Sequence, residues 1–162
     1  DADNLIKSLG PENLSKKKAP VPSSWQNIKD KDNNFTLSAP ESFKKKTHPN
    51  GAAVVFDEGS GELGITIEII GSKLKTSENI EDFVKNSPLK MSGALLDTQS
   101  INAEGFAAAV QVFGTTTGES SQLFILRRGD LVWLLKVYPG NSLKLPIFNQ
   151  ILTTFKPYEE GG

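Results

Sequence analysis

Leu131-Val132-Trp133-Leu134-Leu135-Lys136-Val137-Tyr138 is the stretch on which the fold turns. In an extended strand, alternate side chains face opposite ways. Leu131, Trp133, Leu135 and Val137 therefore share one face, and Val132, Leu134, Lys136 and Tyr138 the other. Both sets are largely apolar at the centre, so this strand is expected to be covered on both sides, inside a layered domain.

Outward from it, residues 106–116 and 122–138 carry the strongest β signal of the chain. They are broken by Thr117-Gly118-Glu119-Ser120-Ser121 and by Arg127-Arg128-Gly129-Asp130, which makes three successive antiparallel strands. The second break reads as a hairpin turn with locally paired charges. Residues 52–57 and 63–70 flank Glu58-Gly59-Ser60-Gly61-Glu62, a loop short enough to close a hairpin. Leu63, Ile65, Ile67 and Ile69 then point to one face and Thr66 and Glu68 to the other. Asn34-Phe35-Thr36-Leu37-Ser38 is a short first strand that Pro40, lacking a ladder donor, ends.

Two helices complete the pattern. Thr76 or Ser77 caps the first, with Glu78, Glu81 and Asp82 near its start, Ile80, Phe83 and Val84 at helical spacing, and Pro88 beyond its end. Between them, Ala94-Leu95-Leu96 reads as a short strand or a turn. Pro139-Gly140-Asn141-Ser142 breaks the last strand and caps the second helix, whose stripe is Ile147, Phe148, Ile151, Leu152 and Phe155 and which Pro157 stops. The order strand, hairpin, helix, meander, helix specifies an α+β domain, an antiparallel β-sheet flanked by helices.

The 162 residues fit one domain with a tail, since single domains commonly hold about 100–200 residues. Residues 1–24 offer few large apolar side chains, a Lys16-Lys17-Lys18 run and Ala19-Pro20-Val21-Pro22. They are expected to form a flexible tether, with the domain spanning residues 25–162. Trp25 marks where the chain meets the body, either as a packed anchor or as part of a groove. Lys plus Arg total 18 against 19 Asp plus Glu, a balance that argues against a nucleic-acid partner. No apolar run is long enough to span a bilayer, so the chain is read as soluble. It contains no cysteine, which excludes disulfides and thiolate chemistry. A chain beginning with Asp reads as processed or truncated, with any targeting segment upstream of Asp1.

The element order, with a strand entering a Pro-x-x-Phe turn at Pro40 to Phe43 and a closing Ile151-Leu152-Thr153-Thr154-Phe155-Lys156, resembles the PsbP-like family. That fold is shared by PsbP, the Ran-binding protein Mog and DcrB-type bacterial lipoproteins. The resemblance covers residues 25–157 and implies a PsbP/Mog-like α/β/α sandwich. It also implies a non-enzymatic binding or assembly role, and an extracytoplasmic location with an acylated cysteine ahead of a tether.

Several local patterns invite chemical readings. Gly59-Ser60-Gly61-Glu62-Leu63-Gly64 spells G-x-G-x-x-G, but a strand rather than a helix follows, so a hairpin turn is expected and not a phosphate site. Gly118-Glu119-Ser120-Ser121-Gln122 starts like a nucleophile elbow but lacks the second glycine, and the single histidine, His48, sits in a Pro49-Asn50-Gly51 turn. Asp57, Glu58 and Glu62 are the candidate ligands for a weak calcium or magnesium site at one hairpin end. Lys44-Lys45-Lys46 and Lys16 to Lys18 are candidates for anionic headgroups.

No cofactor and no catalytic residue are expected, and the chain is read as a monomer. The reading is a binding or assembly domain of an extracytoplasmic lipoprotein with a protein partner. The alternatives are a photosystem II associated PsbP-type factor and, from another class, a hydrolase using the acidic hairpin or the Ser120-Ser121 loop, with Asp57, Glu62 or His48 against the nucleophile.

Overall fold

The computed structural model describes residues 24–57, 65–75, 79–89, 91, 93–103, 105–116, 120–138 and 145–158. Residues 1–23 of the expected tether lie outside them. Ten strands are described: β1 (Gln26–Asp30), β2 (Phe35–Ala39), β3 (Phe43–Thr47), β4 (Ala53–Asp57), β5 (Thr66–Lys73), β6 (Ala94–Ala103), β7 (Phe106–Gly114), β8 (Ser120–Arg128), β9 (Leu131–Tyr138) and β10 (Lys156–Pro157). The described helices are α1 (Ile80–Asn86) and α2 (Leu145–Thr153). The strands form a small sheet, β1-β2-β10, and a large one, β3-β4-β5-β9-β8-β7-β6, and their ladders are antiparallel.

β9 occupies the middle of the large sheet, paired with β5 and β8. Val132, Trp133, Leu134 and Val137 are fully buried and Leu135 is 1% exposed, as a two-faced apolar strand requires. On the face of Trp133, Leu135 and Val137, side chains of β4, β5 and β8 meet Phe35 and Leu37 of β2 and Phe148, Ile151 and Leu152 of α2. On the opposite face Val132, Leu134 and Leu123 pack with Ile80, Phe83 and Val84 of α1. The expected helix-flanked sandwich is therefore realised only in part. One outer layer combines the small sheet with α2, and the other, among the described residues, is the seven-residue helix α1.

The loop between β1 and β2 fastens the two sheets together. Asn33 is buried; its backbone N–H donates to Asp30 Oδ1 at 2.9 Å and its side-chain Nδ2 to Gly51 O at 3.1 Å, while its Oδ1 accepts from Gly71 N–H at 3.2 Å. Asn34 adopts φ 55°, a left-handed conformation that asparagine tolerates better than most residues. That turn aims its carbonyl at the indole N–H of Trp133, 2.9 Å away, and at the backbone N–H of Tyr158, 3.2 Å away.

Several expectations change at this level. The turn at Pro40 is present, with Phe43 N–H donating to Pro40 O at 3.0 Å, but the expected first strand, β2, is preceded along the chain by β1 and followed by β3. The first helix is capped by Asn79, whose Oδ1 accepts from Asp82 N–H at 2.8 Å, and not by Thr76 or Ser77. An asparagine three residues before an acidic residue competes well for that place. Ala94-Leu95-Leu96 opens a ten-residue strand. The second helix ends at Thr153, ahead of Pro157, and Lys156 and Pro157 form a short strand that pairs with Thr36 and Phe35. Asp130 bonds to Lys73 at 3.4 Å and not to the neighbouring arginines.

Candidate functional site

A depression lies where the tip of the β6–β7 hairpin, the end of β8 and the C-terminal end of α2 converge, a cleft of about 310 Å³. The end of α2 explains its floor: Leu152 of the helix and Phe155 just beyond it turn towards the sheet and meet Leu126 of β8 and Phe106 of β7. Phe155 lies between Phe35, stacked at 5.6 Å, and Phe106 at 6.0 Å. Arg128 and Lys156 stand at the rim. The guanidinium of Arg128 lies 4.8 Å from the centroid of Phe106, and its Nε donates to Gly105 O at 3.0 Å.

A second, smaller depression lies on the opposite face between Lys46, His48, Phe56, Glu68 and Tyr138. Lys46 sits 5.1 Å above the Phe56 ring and Lys136 5.3 Å above that of Tyr138. Burial, followed by a hydrogen bond to Glu68 and the charge of that carboxylate, pushes the Tyr138 hydroxyl up to about 12. A folded-state pKa raised above the ordinary 10 favours the neutral form in the native protein. The stability Tyr138 contributes is therefore fully present below pH 10 and lost as pH rises towards 12. The expected result in an ultraviolet titration is a late-ionising tyrosine that disappears in Tyr138→Phe, whose alkaline unfolding profile flattens over the same window. An identical profile in the variant would contradict the assignment.

The remaining sequence-derived sites do not assemble among the described residues. Asp57 ends β4 opposite Phe43, whereas Glu58 and Glu62 lie outside those residues, as does the whole G-x-G-x-x-G stretch. The strands on either side of that stretch pair with each other, as in a hairpin. No group of three metal-ligating side chains forms among the described residues. His48 is exposed in a turn, its Nδ1 accepting from Asn50 N–H at 3.1 Å. Ser120 and Ser121 open β8, and four strand steps separate β8 from β3, roughly 19 Å at the usual spacing. A hydrogen bond between His48 and either serine is thus out of reach. Gln122 beside them is fully buried, and its carboxamide has no partner among the described residues.

Lys44, Lys45 and Lys46, read as a headgroup patch, form the outer edge strand β3. Lys45 reaches the buried Asp30 at 3.1 Å and so ties β3 to β1. Trp25 is half-buried against the main core, the anchor of the two alternatives. The feature that sequence reasoning missed is the opposite edge. β6 pairs on one side with β7 and closes the large sheet, and it exposes Leu95 (50%) and Leu96 (64%). Its β-branched and polar residues, Thr98 to Ile101, were the available signal.

No protein-family profile matches this chain, and no curated protein matches it. Solved structures do. The solution structure of cyanobacterial PsbP (CyanoP) from Synechocystis sp. PCC 6803 superposes with a TM-score of 0.57 over 85% of this chain and 95% of that one, at 10% identity. A crystal structure of a protein from Bacteroides thetaiotaomicron VPI-5482 gives 0.52 over 86% of this chain at 15% identity, and the match spans half of that protein's length. The chain has a PsbP-like fold. Among the described residues no helix is long and apolar enough to cross a membrane.

Proposed function

We propose that this chain is a non-catalytic binding or assembly domain that holds a protein partner by pairing an extended segment of it along β6. The observation that carries this reading is the asymmetry of the two sheet edges. An unpaired edge is a template for another strand, and proteins blunt it with charge, lysine above all. β3 is blunted in that way by Lys44, Lys45 and Lys46, which are exposed. β6, twice as long, carries no Lys or Arg and exposes two adjacent leucines. Strand addition uses such an edge for main-chain bonds and takes specificity from the flanking side chains. Asp97, the single charged residue of β6, favours a segment with a basic residue opposite it.

An extracytoplasmic place and a lipid anchor ahead of the tether extend the likeness to PsbP-type proteins, and the reading as a monomer in the absence of partner goes with it. A photosystem-associated role is the second reading, favoured by the likeness to cyanobacterial PsbP.

The test is site-specific photocrosslinking in the native host, with the probe at position 96 on β6 or position 45 on β3. A discrete adduct from position 96 alone is expected. Its yield should fall about tenfold in Leu95→Lys, the change produced by roughly 1.4 kcal/mol of lost affinity. Equal adducts from both edges, or none from position 96, would contradict the reading. Photosystem subunits in the adduct would select the second reading.

A further inference from the structure

The cleft between Arg128 and Phe155 meets β6 at its last residue, Ala103, far along the strand from Leu95 and Leu96, and has its own chemistry. Half-buried Phe106 and the edges of Leu152 and Phe155 make its apolar floor, with fully buried Leu126 beneath them, and the charged residues of its lining, Arg128 and Lys156, are both cations. The hydroxyls of Thr153 and Thr154 donate to Gln150 O and Ile151 O at 2.6 Å, which leaves recognition of a polar group to the two cations.

Arg128 is held in place before any ligand arrives. Its Nε is bonded to Gly105 O, its plane covers Phe106, and Gly105 has a φ of 85°. A Cβ at position 105 would sit 2.5 Å from Nη2 of Arg128, so glycine is what lets the guanidinium lie there. A side chain already ordered loses little further rotamer freedom on binding, and its Nη groups match a planar carboxylate. The volume of about 310 Å³ is at the lower end for ligand pockets and suits a ring with a short chain.

We propose that this cleft binds a small apolar monocarboxylate, its hydrocarbon against Phe106, Leu152 and Phe155 and its carboxylate between Arg128 and Lys156. The same chemistry is offered by a free aromatic acid and by the C-terminal residue of a peptide.

Titration of the full chain with 3-phenylpropionate, followed by amide and Arg Nε–H resonances, tests this. Saturable shifts at Gly105, Phe106, Thr154 and Arg128 are expected, with a Kd on the order of a millimolar for a ligand of that size. The neutral amide analogue should bind at least tenfold more weakly, and Arg128→Gln should abolish the preference for the acid. The comparison of acid with amide on the unaltered protein needs no variant, so it stands even if Arg128→Gln folds poorly. Binding of N-acetylglycylphenylalanine but not of the free acid would assign the site to a chain terminus, and the reverse to a small molecule. Non-saturating shifts with both the free acid and the peptide, equal binding of acid and amide, or an undiminished preference in Arg128→Gln would overturn the proposal.

Discussion

Trp133→Ala is expected to cost about 3–5 kcal/mol, the range for removing a buried aromatic side chain, and so a large part of the 5–15 kcal/mol that stabilises a typical domain. Three contacts vanish together. The indole is fully buried; it meets Phe106 edge-on at 5.5 Å and Phe155 edge-on at 5.9 Å; and its N–H ties the large sheet to the β1–β2 loop through Asn34 O. Trp133→Phe separates these terms. It keeps most of the ring volume and gives up the hydrogen bond, and Asn34 O retains the Tyr158 N–H as a donor. About 1–2 kcal/mol is expected for it. Urea unfolding with a shared m-value measures both variants. A loss below 1 kcal/mol in Trp133→Ala would mean that the two sheets are not fastened at this point.

Gly71→Ala is the second large effect, and its origin is different. A Cβ on Gly71 would lie 1.9 Å from the carbonyl oxygen of Asn33 and 2.9 Å from Cδ1 of Trp133. The first neighbour is backbone, in the loop that clamps the sheets, so relief requires β5 and that loop to separate. Overpacking of this sort costs about 1–3 kcal/mol and at times more, and the upper end is expected. This outweighs the roughly 0.5–1 kcal/mol by which alanine ordinarily improves on glycine within a strand. Gly51 provides the contrast. An added Cβ there meets nothing, and the penalty is confined to its φ of 94°. A loss in Gly71→Ala no larger than that in Gly51→Ala would show that the Asn33 loop yields to the added methyl at little cost.

The central strand was legible because its burial is written in it: no reading of Val132 to Leu135 leaves either face in water. The meander β7–β8–β9 and the stripe of α2 were legible for the same reason. The outer strands were not. β1 holds one large apolar residue, Ile28, and β3 hides behind three lysines that mimic a solvated patch. β6 turns mostly polar side chains outward, with Ile101 and Ala103 its buried contribution. Edge strands are half-solvated, so the period that betrays a strand is diluted in them. The cleft was invisible for another reason. Arg128 was read as a turn residue, and the group that positions it, Gly105, lies 23 residues earlier. A juxtaposition of that kind belongs to the topology of the sheet and leaves no local mark.

The small sheet carries a consequence in time. β2 is bordered on one side by β1, a neighbour in sequence, and on the other by β10, the last of the described elements. Ser38 also donates its N–H to Thr154 Oγ1, 116 residues away. Contacts so distant along the chain require closing a long loop before they return any stability. During synthesis β1 and β2 emerge well before β10, and one flank of β2 and the aromatic face of Phe35 wait for Phe155 and Lys156. Until then the nascent domain carries an open strand edge beside an uncovered ring, the kind of surface to which chaperones attend.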